Sequence, residues 1–329
     1  MIGSKARRVS FVPPAVFVLS LSILVLVQTK SPFPLLLAER LIAGGGWVQM
    51  LVVAAYGAFL SHRMGSAADS ARWRIISWGV FAGVFFTQLA LGLLASDIFL
   101  MTGKLHLPIP AMVLAGPLYR GETSVMTILF LSTLLLSGPA WCSHLCYFGA
   151  LDAWASSRSK PLSTGTKWKW AVKFSILFFV VAATLILRWF QVPILLATSL
   201  AVAFGIVGIG IMIFVSGRKG SMIHCVLYCP IGTLVNLLRY VNPFRMAIAP
   251  SCNSCMKCNM VCRYDALKPE DIKSGVPGIT CSLCGDCLGS CRQNSIHYKF
   301  LGLSPVAARN LYLIITVTLH TVFLAVARM

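Results

Sequence analysis

Two closely spaced runs of cysteine stand out in the last third of this 329-residue sequence. Each run has the spacing C-x2-C-x2-C-x3-C. Three thiolates on one tight loop can hold one cubane of iron and sulfide, while the fourth starts a helical turn that reaches a neighbouring cubane. The spacing therefore predicts two [4Fe–4S] clusters, whose chemistry is one-electron transfer. The runs are Cys252, Cys255, Cys258 and Cys262, then Cys281, Cys284, Cys287 and Cys291.

The fourth cysteine of each run is predicted to ligate the cluster of the other run, as in bacterial two-cluster ferredoxins. Structural zinc is the alternative, but two identical four-cysteine runs favour iron–sulfur clusters. Arg263 and Arg292 replace the usual proline after each run. Their charges either raise the cluster potentials or face anionic lipid or an acidic partner. The predicted sets are Cys252, Cys255, Cys258 and Cys291 (the first cluster site), and Cys281, Cys284, Cys287 and Cys262 (the second cluster site).

Two further cysteine pairs lie upstream, each with the spacing C-x3-C beside an apolar run. Thiols at i and i+4 share one helix face. The two related halves together would supply four thiolates for an additional iron–sulfur cluster or another metal. The alternative is that each pair provides packing or a reversible dithiol. The four predicted ligands, here named the membrane thiol site, are Cys142, Cys146, Cys225 and Cys229.

The composition is that of a membrane protein. Hydrophobic residues make up 57% and charged residues 11% of the sequence, whereas soluble domains have about 25% charged residues. The net charge is +19, but Lys and Arg lie in short loops between apolar runs, which is the positive-inside pattern and not a nucleic-acid surface. Seven runs are long enough to span a bilayer: residues 11–28, 41–60, 75–95, 125–147, 171–189, 194–215 and 306–326.

These patterns predict an all-α polytopic membrane bundle of about seven transmembrane helices, with a small α+β two-cluster ferredoxin domain on the cytoplasmic side. Residues 1–241 form the membrane domain, 242–300 the ferredoxin domain and 301–329 a last transmembrane helix. The basic loops predict an inner (cytoplasmic) membrane location, with the N-terminus and ferredoxin domain cytoplasmic and the C-terminus outside. Membrane lipids are the expected surroundings, and no nucleic-acid partner is expected.

Several ionisable residues are candidates for a quinone or proton site, because such groups are costly near membrane depth. Ordinary interfacial solvation is the alternative for each of them. Two histidines beside the cysteine pairs, His144 and His224, are either hydrogen-bonded residues or participants in redox or proton chemistry. The other candidates are Asp97, His106, Glu122 and His320.

The combination of membrane helices, two C-x3-C pairs and a two-cluster domain resembles the NapH-type ferredoxin-like quinol dehydrogenases of periplasmic nitrate reductase systems, and more loosely the NosR-type proteins. The resemblance covers roughly residues 125–299. That family has C-x3-C-P twice; Pro230 follows Cys229, but Tyr147 follows Cys146. Seven predicted spans also exceed the four typical of the family.

The resemblance implies an electron-transfer subunit of a respiratory-type oxidoreductase complex. Its partners would be quinone or quinol and other redox subunits with ferredoxin, flavin or cytochrome centres. One alternative is copper handling, in which the membrane thiols bind Cu(I) and the ferredoxin domain reduces Cu(II) for oxidase assembly, as in the CcoG-type family. A third possibility is a structural subunit that anchors a larger redox complex.

Overall fold

The computed structural model describes residues 11–100, 109–122, 125–163 and 168–326, which are mostly helical. His106 and the ends of the predicted membrane topology, 1–10 and 327–329, lie outside these ranges. Two strands are present, β1 (Phe244–Ile248) and β2 (Ile296–Phe300). The helices are α1 (Val12–Lys30), α2 (Leu37–Leu41), α3 (Gly45–Gly65), α4 (Ala67–Leu94), α5 (Met112–Arg120), α6 (Val125–Ser137), α7 (Tyr147–Ser156), α8 (Lys169–Trp189), α9 (Ile194–Gly210), α10 (Gly217–Lys219), α11 (Pro230–Leu238), α12 (Pro269–Ser274) and α13 (Pro305–Val326).

Six helices in the described ranges are long and apolar enough to cross a membrane, which indicates a multi-pass membrane protein. The predicted span at 41–60 forms α3, which has the length but not the apolarity of these six, because it carries polar residues such as Gln49 and Arg63. The six are Val12–Lys30, Ala67–Leu94, Thr127–Leu145, Lys169–Trp189, Ile194–Lys219 and Pro305–Val326.

The helix α3 packs against both α1 and α13. Gly57 permits the close approach, because a Cβ at this position would lie 2.5 Å from Thr321 Oγ1 on α13. Small residues at helix crossings allow backbones in a membrane to come together in this way. The three helices thus form one side of the bundle.

The helical winding changes at both cysteine pairs. The chain of α6 continues through a 3-10 turn into a π-helical turn at Trp141–Leu145, and a second π-helical turn, His224–Tyr228, precedes α11. The Cys146 N–H donates to the Trp141 carbonyl (3.0 Å), and the Cys229 N–H donates to the His224 carbonyl (2.8 Å). Single π turns inside helices frequently mark functional sites. The expected α-helical placement of the pairs is therefore replaced by a wider turn that ends at the second cysteine.

The two strands bracket the cysteine runs. They pair antiparallel, with Phe244 opposite Phe300 and Ile248 opposite Ile296. Alternate residues of β1 are buried, as the two-residue period of a strand with one covered face requires. The ferredoxin domain joins α13 soon after β2, and the stacked rings of Tyr298 and Tyr312 lie 4.5 Å apart at this junction.

Candidate iron–sulfur sites

The two cysteine runs adopt the same backbone conformation at equivalent positions. Left-handed φ angles at non-glycine residues cost of order 1–3 kcal/mol each and persist only where the surroundings impose them. When successive residues alternate between left-handed and right-handed backbone conformations, their N–H groups point inward and form a concavity that binds anions, including iron–sulfur centres. The equivalent pairs with positive φ are Ser254 and Leu283, Met256 and Gly285, and Asp265 and Asn294.

The fourth cysteine of each run accepts a backbone hydrogen bond at its sulfur. The Ala266 N–H donates to Cys262 Sγ (3.4 Å), and the Ser295 N–H donates to Cys291 Sγ (3.3 Å). Such bonds favour the thiolate and raise the potential of a cluster held by it. Both cysteine runs therefore have the same N–H to sulfur hydrogen bond at their fourth cysteine.

The structure brings the four thiols of the first cluster site together around one cavity of about 250 Å³. Cys255 is exposed, whereas Cys258 is buried. Lys257 and Arg292 also line the cavity. The first cluster site therefore opens to the surface of the ferredoxin domain, with basic side chains at its rim.

The four thiols of the second cluster site also line a common cavity, which is tighter, about 20 Å³. Burial raises the pKa of Cys262 to about 12, so this thiol is protonated at neutral pH until a metal displaces its proton. The second cluster site lies inside the protein, unlike the first.

The donor set and spacing fit a polynuclear cluster better than a single metal ion. Within the described ranges, no three histidine, cysteine or carboxylate side chains converge as one metal ion requires. A zinc site would need four thiolates at about 2.3 Å from one centre. Thiols spread around a cavity, with backbone N–H groups aimed at their sulfurs, suit an iron–sulfur cubane instead.

The four cysteines of the membrane thiol site lie close to one another. Cys225 interacts electrostatically with the other three, and Cys142 with Cys146 and Cys229. The two C-x3-C pairs, far apart in the sequence, therefore lie together in the fold. Cys146 and Cys229 stand at the N-terminal ends of α7 and α11. Burial raises the pKa of both thiols, and backbone N–H groups of the first helical turn oppose that rise.

A glycine three residues after each cysteine pair, Gly149 or Gly232, fixes the backbone beside the second thiol of that pair. The Gly232 N–H donates to Cys229 Sγ (3.4 Å). A Cβ at Gly232 would lie 2.7 Å from the Cys225 carbonyl oxygen, and a Cβ at Gly149 would lie 2.9 Å from the Cys142 carbonyl oxygen. No side chain fits at either position unless the π-helical turn moves, so the glycines fix the backbone that presents the thiols.

We expect Gly232→Ala to remove the metal from the membrane thiol site while the first and second cluster sites keep theirs. The added Cβ would meet backbone atoms, and overpacking of this kind costs about 1–3 kcal/mol. Iron and sulfide content of the purified variant measures the loss. Gly210→Ala is the matched control, because no atom lies within 4 Å of a Cβ placed there; equal iron loss in both variants would contradict the prediction.

The second cluster site and the membrane thiol site share wall residues. Tyr264 and Ser282 line the cavity of the second cluster site and also the space beside Cys142 and Cys225. The Tyr264 hydroxyl donates to the Cys142 carbonyl (2.9 Å), and the Ser143 hydroxyl donates to the Ser282 carbonyl (3.0 Å). The ferredoxin domain therefore sits directly on the membrane thiol site.

Buried charges hold this interface. Arg74 on α4 pairs with Asp286 (2.6 Å) and also donates to the Ser143 carbonyl (2.9 Å). Lys169 on α8 pairs with Asp265 (2.7 Å). The sequence offered no signal for these pairs, because their members lie far apart in the chain and each looks like an ordinary loop or interface residue.

The two arginines that follow the cysteine runs differ in their surroundings. Arg263 donates to the Ser156 and Gly220 carbonyls of the membrane domain, so it joins the two domains and does not face a partner or lipid. Arg292 is exposed and lines the cavity of the first cluster site. Of the two, Arg292 alone is placed to meet another protein.

The ionisable candidates are divided between surface and interior. Asp97 and Glu122 are exposed, as ordinary solvation predicts. His320 is buried, with Nδ1 3.1 Å from the His144 carbonyl and Nε2 3.3 Å from the Tyr56 hydroxyl. His224 lies buried between the rings of Phe148 and Tyr228. His320 and His224 therefore contact the two π-helical turns that carry the cysteine pairs.

Comparison with known families supports cluster binding in the membrane part of the chain. The model of a 4Fe–4S binding domain family, Fer4_5, matches residues 121–164 and 201–246. These segments contain the two C-x3-C pairs and not the two longer cysteine runs. No curated protein and no solved structure matches the chain. The family match, the six membrane-capable helices and the many cysteines fit a membrane ferredoxin-like protein with iron–sulfur cofactors, which implies electron transfer.

Proposed function

We propose that this protein carries single electrons between a quinol-type carrier in the membrane and a soluble redox protein, as a subunit of a respiratory-type complex. The route runs through the membrane thiol site, the second cluster site and the first cluster site. Bound [4Fe–4S] clusters supply reversible one-electron chemistry at these sites. The protein's part is to hold the sites close together, exclude water and present the two ends of the route.

The order of the sites is the observation that carries the proposal. Each cysteine run donates its fourth thiol to the cavity of the other run, so the first and second cluster sites are neighbours. Tyr264 and Ser282 connect the second cluster site to the membrane thiol site. A row of three sites that leads from a membrane bundle to an exposed surface suits conduction, whereas a structural anchor has no need of that order.

At the membrane end, aromatic rings pack in the same apolar cluster as Cys146. The ring of Tyr147 stacks on Phe85 with 3.8 Å between centroids, and Phe86 and Phe148 meet its edges. An apolar, aromatic wall beside thiol ligands suits a lipid-soluble aromatic carrier such as a quinol. Asp97 and Glu122, the exposed candidates, are not needed for this role.

At the other end, the first cluster site is the place where a soluble partner can approach. Cys255 is exposed, and Lys257 and Arg292 flank the cavity. Basic groups at an electron-transfer surface steer an acidic partner and raise the rate of encounter. The proposed soluble partner is therefore an acidic ferredoxin or flavin-containing carrier. The route allows either direction, which the potentials of donor and acceptor decide.

We expect Lys257→Gln combined with Arg292→Gln to slow electron exchange with an acidic ferredoxin about tenfold at low salt, because it removes two steering charges. The difference should shrink at high salt, where screening removes the steering in both proteins. Stopped-flow absorbance measures the rate. Arg218→Gln removes an exposed charge that does not line the first cluster site; an equal effect from this control would show that net charge alone is responsible.

The proposed route is tested by reduction from the membrane end. The purified protein is placed in lipid vesicles with a reduced short-chain quinol, and reduction of the ferredoxin-domain clusters is followed by EPR. The wild type should be reduced, whereas a Cys142→Ser, Cys225→Ser variant should respond only to dithionite. Equal reduction of both proteins by quinol would remove the membrane thiol site from the route. Co-purification of catalytic subunits from native membranes tests membership in a complex.

A further inference from the structure

Lys173 on α8 is a buried cation that no part of the proposed route uses. Its side chain has 0% relative exposure, and its Nζ donates to the Val226 carbonyl (2.9 Å). The ion pairs of the described ranges involve Arg74, Lys169 and Lys268, but not Lys173. Burying an ammonium group without a counterion costs several kcal/mol. The position of Lys173 therefore calls for a negative charge nearby, and no ion pair in the described ranges supplies one.

The electrostatic neighbours of Lys173 are the membrane thiols. It interacts with Cys229, Cys142 and Cys225, and the Val226 carbonyl that it binds belongs to the π-helical turn between Cys225 and Cys229. Lys169, one helical turn away, already has Asp265 as its partner. The neighbours of Lys173 thus become its counterions once the thiols are thiolates.

A second buried charge at this site has the opposite sign. Asp152 on α7 is fully buried, and its carboxylate accepts a hydrogen bond from the Cys225 N–H (3.0 Å). It adds negative charge beside a site that already gathers four thiols. No ion pair joins Asp152 to Lys173 among the described residues. The ammonium of Lys173 is thus available to the thiol ligands.

We infer that Lys173 balances the charge of a cluster in the membrane thiol site and sets that site's potential above the value the thiolates alone would give. This inference rests on the proposed function. An oxidised [4Fe–4S] core with four thiolates is a dianion, and one-electron reduction makes it a trianion. A fixed cation at close range stabilises the trianion more than the dianion. The electron comes from a reduced cluster in the second cluster site or from quinol.

The test compares Lys173→Gln with Lys173→Arg. Glutamine keeps a hydrogen-bond donor for the Val226 carbonyl but removes the charge, and arginine keeps the charge. The measurement is an EPR-monitored redox titration of the signal that disappears in the Cys142→Ser, Cys225→Ser variant. Lys173→Gln should shift the reduction equilibrium of this signal at least tenfold toward the oxidised form, which is about 59 mV for a one-electron couple. Lys173→Arg should shift it much less.

Arg188→Gln is the matched control. Arg188 is an exposed cation at the far end of the same helix, roughly 22 Å from Lys173 along the axis at 1.5 Å per residue. The Arg188→Gln variant should leave the reduction potential of the membrane thiol site unchanged. The signals of the first and second cluster sites provide an internal reference in every titration.

The outcomes separate this inference from the proposed function. Three clusters in the wild type with an unmoved potential in Lys173→Gln would overturn the role of Lys173 and leave the route intact. Iron for only two clusters in the wild type would overturn the membrane thiol site, and the inference with it. Loss of the third cluster in Lys173→Gln but not in Lys173→Arg supports the charge requirement, whereas loss in both variants means that packing is required and overturns it.

Discussion

The Cys142→Ser, Cys225→Ser variant is expected to lose the iron and sulfide of one [4Fe–4S] cluster and to keep those of two. Together the two substitutions remove one thiol from each half of the membrane thiol site, and a serine hydroxyl does not replace a soft thiolate for iron. The remaining clusters stand on their own eight cysteines in the ferredoxin domain. Iron and sulfide per protein, with EPR of the reduced samples, measures the difference.

The reciprocal variant is the control for this experiment. Cys255→Ser alters the exposed ligand of the first cluster site and should change the EPR signal of that cluster while the membrane signal persists. If the double variant and the wild type hold equal iron, the four membrane cysteines carry no cluster. In that event they act as packing or as a dithiol, the alternatives that their sequence leaves open.

Arg74→Met is expected to destabilise the junction between the membrane and ferredoxin domains by about 3–5 kcal/mol, because it leaves Asp286 as a largely buried, unpaired charge. The side chains of Arg74 and Asp286 are 2% and 12% exposed, so solvent cannot replace the lost partner. Arg74 also donates a hydrogen bond to the Ser143 carbonyl, which lies beside the membrane thiol site. Chemical unfolding in detergent, followed by cluster absorbance and by limited proteolysis, measures the loss.

Two companion variants show whether charge burial is the cause. Arg72→Met removes an exposed arginine from the same helix and should change stability little, as surface substitutions usually do. Combining Arg74→Met with Asp286→Leu should recover most of the loss, since replacing a buried pair by apolar residues is often neutral. A double variant as unstable as Arg74→Met would show that the pair's hydrogen bonds to other groups dominate.

Local spacing carried most of what the sequence could predict. The run from Cys252 to Cys262 and its repeat define a loop shape, because a cubane restricts where consecutive thiols can lie. The repeat of Cys142 and Cys146 as Cys225 and Cys229 likewise predicted two related halves. Both are properties of neighbouring residues, so periodicity and spacing reveal them. The six membrane-capable helices follow from apolar runs for the same reason.

Contacts across the fold could not be predicted in this way. Arg263 follows a cysteine run and looked like a residue for a partner, but it binds carbonyls of the membrane domain. Lys173 received no interpretation from the sequence, yet it is buried beside thiols that are distant in the sequence. The π-helical turns were missed because the C-x3-C spacing is equally compatible with an α-helix. Each of these features depends on which distant segments of the chain pack together in the fold.

The packing of α13 against α1 and α3 has a consequence for how the protein is made. The α1 and α3 helices are translated early, but α13, which covers them, is translated only after both cysteine runs. Contacts between distant parts of a chain form late, so the young bundle keeps an uncovered face while the thiols are still free. Iron–sulfur clusters can therefore be inserted into the ferredoxin domain before α13 packs against α1 and α3. When α13 docks, its contacts with these helices and with β2 form together.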